Sequence, residues 1–287
     1  MTARAAAAAA FGRLPPSVRR ALLHRAGRFA PWEEGFDFTP PDLGPDEDTG
    51  PPDFVGIGAQ KAGTTWWYQL IAAHPGVWAR PDLHKERHFL SRFGQAGFGP
   101  GDAAAYHCWF PRRPGTTAGE WTPDYLHWPW VPGLLAAAAP DARLLVILRD
   151  PVERFCAGLA HQWRNGAPRS AGTTADAIAR GFYFECLSRW WAHFEQSRML
   201  VLQYEQCAAD PRAQIARTYR FLGLDSSFEP PGLERRVSAT GAHRFVLDEE
   251  LRRRLVEIYL PDVNALVRHL PDLDLGLWPN FARVAVA

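Results

Sequence analysis

The sequence is poor in sulfur and in net charge. Two Met and four Cys stand among 287 residues. Cys108, Cys156, Cys186 and Cys207 form no CxxC pair, and no His accompanies them at zinc-ligand spacing. That excludes a zinc ribbon. They read as reduced, mostly buried thiols of a cytoplasmic protein. Formal net charge is only +1, so no global basic field argues for a nucleic-acid partner, and any anion site must be local. No stretch approaches the ~20 apolar residues of a membrane-spanning helix, which excludes stable membrane insertion. No internal repeat is present. What the chain does have is a hydrophobic fraction of 47% and 12 Trp. A sizeable core follows from the first. The rings are read first as core filling, with an aromatic cleft as the alternative.

The N-terminal 31 residues combine an Ala run with Arg13, Arg19 and Arg20. They read as an Ala-rich leader and a short basic amphipathic helix, not a signal peptide. A peripheral membrane contact is the alternative. Residues 36–53 are rich in Pro, Asp and Gly and read as a linker or surface strap.

Beyond the strap, apolar runs alternate with helical patterns. Phe54–Gly58, Arg143–Leu148 and Arg198–Tyr204 read as buried strands. Helices are expected from Thr64 to before Pro75, from Pro151 through Arg164, and over Tyr183–Gln196. Another is expected after Asp210, capped by it and stopped by Gly223. Asp248–Leu270 reads as a final helical region interrupted at Pro261. Strands alternating with helices imply a three-layer α/β/α domain around a central parallel sheet.

The chemistry begins between the first strand and first helix, at Gly58-Ala59-Gln60-Lys61-Ala62-Gly63-Thr64-Thr65. Strand, glycine-bearing loop and helix form a phosphate cradle. Small residues let backbone N–H groups approach an anion, and the helix aims its positive end at it. Lys61 supplies a point charge, and the Thr hydroxyls donate hydrogen bonds. The order is not the GxxxxGK[ST] of ordinary nucleotide hydrolases, because Lys61 precedes Gly63 and Thr64 stands where that lysine would be. Asp150 follows a later strand, but Pro151 behind it marks a turn and cap role rather than a metal ligand.

Four segments together resemble the PAPS-dependent sulfotransferases, nearest the bacterial and heparan-sulfate-type branch of these P-loop proteins. They are KAGTT after a strand, KERHF at 85–89, GEWTPDYL at 119–126 and RDPVER at 149–154. The resemblance covers roughly residues 53–225. It implies an extension over 1–52 and a sulfotransferase domain over 53–287. It also implies PAPS as donor and PAP as product, with no metal. Gln60, Lys61, Ala62, Gly63, Thr64 and Thr65 would bind the 5′-phosphosulfate, Lys61 neutralising charge on the bridging oxygen. Glu86 would be the general base that takes the acceptor's proton, with His88 in support. The basic residues at 84, 85 and 87 would hold anionic groups. Arg149 would grip the 3′-phosphate, and Arg244 is a further candidate for it.

Two positions depart from the family pattern. Trp121 replaces a usual lysine, and either lines an acceptor site with Trp128 and Trp130 or packs in the core. Ala157 replaces a usual serine, so one phosphate hydrogen bond is missing unless His161 or Arg164 supplies it. Arg154 reads as phosphate contact or as a structural arginine. The acceptor is expected to offer a hydroxyl, less readily an amine, on a small hydrophobic or aromatic natural product. High Ala, Arg and Pro suggest a GC-rich bacterial source. The competing readings are a P-loop kinase using ATP and a catalytically silent PAP-binding scaffold.

Overall fold

The computed structural model describes residues 39–94, 97–233, 245 and 247–282, with Val18 and Leu22. Val18 and Leu22 apart, the N-terminal leader lies outside the described residues, as does Arg244.

Four strands form one all-parallel sheet. They are β2 (Phe54–Gly58), β4 (Gly119–Trp121), β5 (Arg143–Leu148) and β6 (Met199–Gln203), in the order β4-β2-β5-β6. All five residues of β2 are buried, as a strand covered on both faces requires. A second pairing joins β1 (Asp48–Thr49) antiparallel to β3 (Pro111–Arg112). It belongs to the strap, which is held down rather than loose. Arg112 donates to Asp53 Oδ2 at 2.6 Å, and Trp78 and Arg80 both donate to Glu47.

Helices cover the sheet. They are α1 (Thr64–Ala72), α2 (Pro100–His107), α3 (Val131–Ala138), α4 (Pro151–Arg164), α5 (Ala171–Ala179), α6 (Tyr183–Trp191), α7 (Tyr204–Ala209), α8 (Pro211–Leu222) and α9 (Glu249–His269). α1 packs on α8, while α9 packs on α4 and α6. The result is the expected mixed α/β fold around a parallel sheet. Among the described residues no helix is long and apolar enough to cross a membrane.

Local signals in the sequence place the helix ends. Asp210 accepts from Ala213 N at 2.9 Å, and Gly223 ends α8 at φ 75°, a left-handed position that favours glycine. The interruption expected at Pro261 does not occur, because α9 runs through it. Proline removes one helical hydrogen bond and costs about 3 kcal/mol in a helix interior. Pro261 is exposed, and the buried stripe Leu255, Tyr259, Val263 and Leu266 continues across it. Asp262 also accepts from the N–H groups of Phe184 and Glu185. Packing on both sides of the proline offsets the lost bond.

Candidate active site

The loop after β2 is built around two left-handed residues, Lys61 at φ 67° and Gly63 at φ 86°. Gly63 caps α1 and offers no side chain to its first turn. The opening N–H groups of a helix have no intrahelical partner, so the bare cap leaves them to an anion. A Cβ at Gly63 would meet the Tyr204 ring at 2.9 Å, so the close approach requires glycine. Ala62 is fully buried and Thr64 nearly so, while Gln60, Lys61 and Thr65 are half-buried at the rim. Burial pushes the Lys61 ammonium down to about 8, the charges of Arg164 and Lys85 adding to the effect and those of Glu86 and Asp124 opposing it.

Glu86 lies near enough for its charge to act on this lysine. Its Oε1 accepts from Lys85 Nζ at 2.5 Å, and its Oε2 lies 3.2 Å from His88 Nε2. Burial alone would raise its pKa, but the His88 hydrogen bond and the Lys85 charge prevail and hold it at about 2. Glu86 is therefore ionised across the working pH range. The segment carrying it is fixed from behind. Thr122 Oγ1 accepts from Arg87 N at 3.0 Å and His88 N at 3.3 Å. The fully buried Glu120 carboxylate accepts from Arg87 N at 3.1 Å and from the Tyr106 and Thr122 hydroxyls. Trp121 N donates to Lys85 O at 2.9 Å. Glu120 and Trp121 of β4, with Thr122, thus shape the KERHF turn, where His88 adopts φ 51°.

The basic residues of that turn divide. Lys85 clamps Glu86. Arg87 is buried, donates to His84 O and lies 6.0 Å from the Phe110 ring centroid.

Trp121 resolves to the core. It is fully buried, donates to Gly58 O at 3.1 Å and fills the space beside Gly56, where a Cβ would come within 2.0 Å of its ring. Trp128 and Trp130 stack on each other at 4.8 Å and are half-buried.

Arg149 directly follows β5 and reaches the phosphate loop, donating from Nη1 to Lys61 O at 3.2 Å. Its guanidinium lies 5.1 Å from the Tyr204 ring centroid, and its carbonyl accepts from Tyr183 Oη at 2.9 Å. Asp150 behaves as a cap, accepting from Val152 N and Glu153 N. Arg154 is fully buried and donates to Ala177 O, which makes it structural. Ala157 sits half-buried on α4, one turn before His161. Burial and the charges of Lys61 and Arg164 hold the His161 pKa down. Its Nε2 lies 3.1 Å from Asn165 Nδ2.

A polar chain that no motif announced links the loop to α5. Gln60 Nε2 donates to Asp124 Oδ1 at 3.4 Å, and Arg180 Nη1 to the same oxygen at 2.6 Å. Arg180 Nε and Gln162 Nε2 then meet Asp176 Oδ2 at 2.9 and 2.8 Å. Asp124 was visible inside GEWTPDYL. Arg180 and Asp176 lie in unremarkable helical sequence and gave no signal.

Comparison with known proteins identifies the family. A family model described as "Sulfotransferase family" matches residues 52–230, more than half the chain. The human heparan sulfate glucosamine 3-O-sulfotransferase 3B1 is 29% identical over 245 residues, covering 73% of this chain and 61% of its own length. Its mouse counterpart is 29% identical over 188 residues, covering 60% and 46%. The chain therefore spans roughly half of these relatives. The crystal structure of a sulfotransferase from Alicyclobacillus acidocaldarius superposes with a TM-score of 0.64 at 25% identity, covering 79% of this chain and 98% of that one. The strand-loop-helix cradle, the clamped glutamate and the matched residues converge, and the chain belongs to the sulfotransferase family.

Proposed function

We propose that the protein transfers a sulfuryl group from PAPS to a hydroxyl acceptor and releases PAP. The observation that carries this reading is Glu86, held ionised between Lys85 and His88 within electrostatic reach of Lys61. In-line sulfuryl transfer asks the protein for positioning and charge stabilisation more than for covalent chemistry. Gln60–Thr65 would cradle the 5′-phosphosulfate. Lys61 would neutralise the bridging oxygen as the S–O bond breaks, and Glu86 would take the proton of the attacking hydroxyl. Arg149 would hold the 3′-phosphate.

A base with a pKa near 2 is weak in isolation. Its role is to receive the proton late, once sulfur has drawn electron density from the acceptor oxygen and that hydroxyl has become acidic. The names of the 3-O-sulfotransferases among the relatives favour a hydroxyl over an amine. A net charge of +1 favours a small apolar or aromatic acceptor over a long polyanion. High Ala, Arg and Pro point to a bacterial source, and the unpaired cysteines to a reducing, cytoplasmic setting.

The test uses labelled PAPS and labelled ATP with a panel of hydroxyl acceptors, with and without EDTA. Label passing from PAPS in the presence of EDTA is expected. EDTA-sensitive transfer from ATP alone would replace the reading with a kinase. Tight PAP binding without transfer to any acceptor would replace it with a silent scaffold.

A further inference from the structure

The RDP turn is gripped by chain well beyond the region the family model covers, which ends at residue 230. Asp150 Oδ1 caps α4, and its Oδ2 accepts from both Asn280 N and Asn280 Nδ2 at 2.9 Å. Asn280 is itself steered. Arg252 Nη1, on α9, donates to Asn280 Oδ1 at 2.5 Å and to Glu153 Oε1 at 3.1 Å. The other side of the turn is held too. Asp150 N donates to Glu205 Oε1, and the fully buried Trp278 donates from Nε1 to Glu205 Oε2, each at 3.0 Å. Every backbone or side-chain polar group named here on Asp150 thus has a partner from α4, from α7, or from residues 278–280.

These bonds surround the residue next to Arg149. Among the described residues the Arg149 guanidinium donates to Lys61 O and faces the Tyr204 ring. Neither fixes the backbone from which it springs. That backbone is set by Tyr183 on the Arg149 carbonyl and by the bonds to Asp150. A single peptide unit separates the clasp from the Arg149 Cα. A rotation there would swing the long side chain away from an anion that needs two parallel N–H bonds.

We propose that Asn280 and Trp278, with Arg252 and Glu205, form a C-terminal clasp that positions Arg149 for the donor's 3′-phosphate. The inference rests on the PAPS reading above. Asn280 and Trp278 are positioning residues, because they act through Asp150 and Glu205 rather than on the ligand. The clasp also gives α9 a purpose in the site. Its Arg252 ties the C-terminal segment to the first turn of α4, so that turn, Arg149 and the segment after α9 move as one piece.

The test compares two nucleotides by calorimetry on the full chain. PAP carries the 3′-phosphate, and adenosine 5′-phosphate lacks it. Asn280→Ala is expected to weaken PAP about tenfold, the effect of losing one hydrogen bond to a charged group. Its affinity for adenosine 5′-phosphate and its binding stoichiometry should be unchanged. Trp278→Phe keeps the buried ring and loses only its bond to Glu205, and should weaken PAP by a smaller factor with the same selectivity. A variant that merely fails to fold would lower the stoichiometry for both nucleotides, and this result in both variants would overturn the clasp in favour of a purely structural role. Equal PAP affinity in native protein and variants would overturn the clasp alone. No PAP binding by the native protein would overturn the donor reading, and the clasp with it.

Discussion

The two ends of the proposed donor site are built differently. At the sulfuryl end, the groups come from two short contiguous segments. Lys61 and its loop follow β2, and Lys85, Glu86 and His88 lie within four residues of one another, braced by Glu120 and Thr122. At the Arg149 end the motif supplies one guanidinium. The bracing comes from Tyr183, Tyr204, Glu205, Trp278 and Asn280, drawn from three later parts of the chain. Charge chemistry at a reacting atom needs fixed neighbours at fixed spacing, and local sequence can encode that. Holding a phosphate several bonds away needs only that one long side chain be aimed correctly. Any packed neighbour can do the aiming, so no spacing betrays it.

The comparison can be broken most forcefully at Lys61. Lys61→Ala should cut turnover by about 10²–10³-fold, the usual cost of losing a transition-state charge donor, and should also weaken PAP. Initial rates and PAP calorimetry check both. A loss confined to affinity would move Lys61 out of the chemistry. The native lysine titrates near 8, so activity of the free enzyme should fall as pH rises through that value, where the ammonium loses its proton.

The second break is at the clamp. Lys85→Met keeps the aliphatic stem and removes the charge that helps hold Glu86 near 2. The Glu86 pKa should climb back towards its ordinary 4.5. An acid limb should then enter the kcat/KM profile, with activity lost as pH falls through the new value and Glu86 takes up a proton. A profile unchanged down to pH 4 would show that Lys85 does not set the base.

The weaker end can be strengthened. Ala157→Ser places a hydroxyl nearly two turns into α4. PAP should bind up to about tenfold more tightly, as one charged-acceptor hydrogen bond would give, with adenosine 5′-phosphate unaffected. No gain would mean that Ala157 does not face the 3′-phosphate.

The smallest effect concerns Glu205, pushed up to about 7 chiefly by burial, with the neighbouring Asp150 charge adding to it. A carboxyl whose folded pKa is raised binds its proton more tightly when folded. Its contribution to stability is complete below the unfolded value of 4.5 and drains away as pH rises through about 7. The native melting temperature should fall over that window relative to Glu205→Gln, which cannot titrate. Parallel melting curves would show that Glu205 does not sense pH.

Much of this arrangement is legible in the sequence. The strands at 54–58, 143–148 and 199–203 announce themselves as uninterrupted apolar runs, and Asp210 and Gly223 mark their helix ends by cap chemistry alone. The loop, the glutamate and Arg149 stand in motifs. What escaped did so for physical reasons. β4 has three residues, too few to show an alternation. Trp121 could line a cleft or fill the core until Gly56 showed where the ring must go. Pro261 reads as a break because local chemistry says so, and only the buried stripe on either side reveals that packing overrides it. The Gln60–Asp124–Arg180 links and the 278–280 clasp join residues dozens of positions apart, where composition carries no trace of the partner.

The central claim is that Glu86 acts on the acceptor's proton while the donor is held elsewhere. Glu86→Gln separates the two most directly, because it preserves shape and removes the charge. Its PAP affinity should match that of the native protein, and its turnover from labelled PAPS should fall by about 10²–10⁴-fold. Unchanged turnover, or a loss of PAP affinity that accounts for the whole fall in rate, would contradict the account.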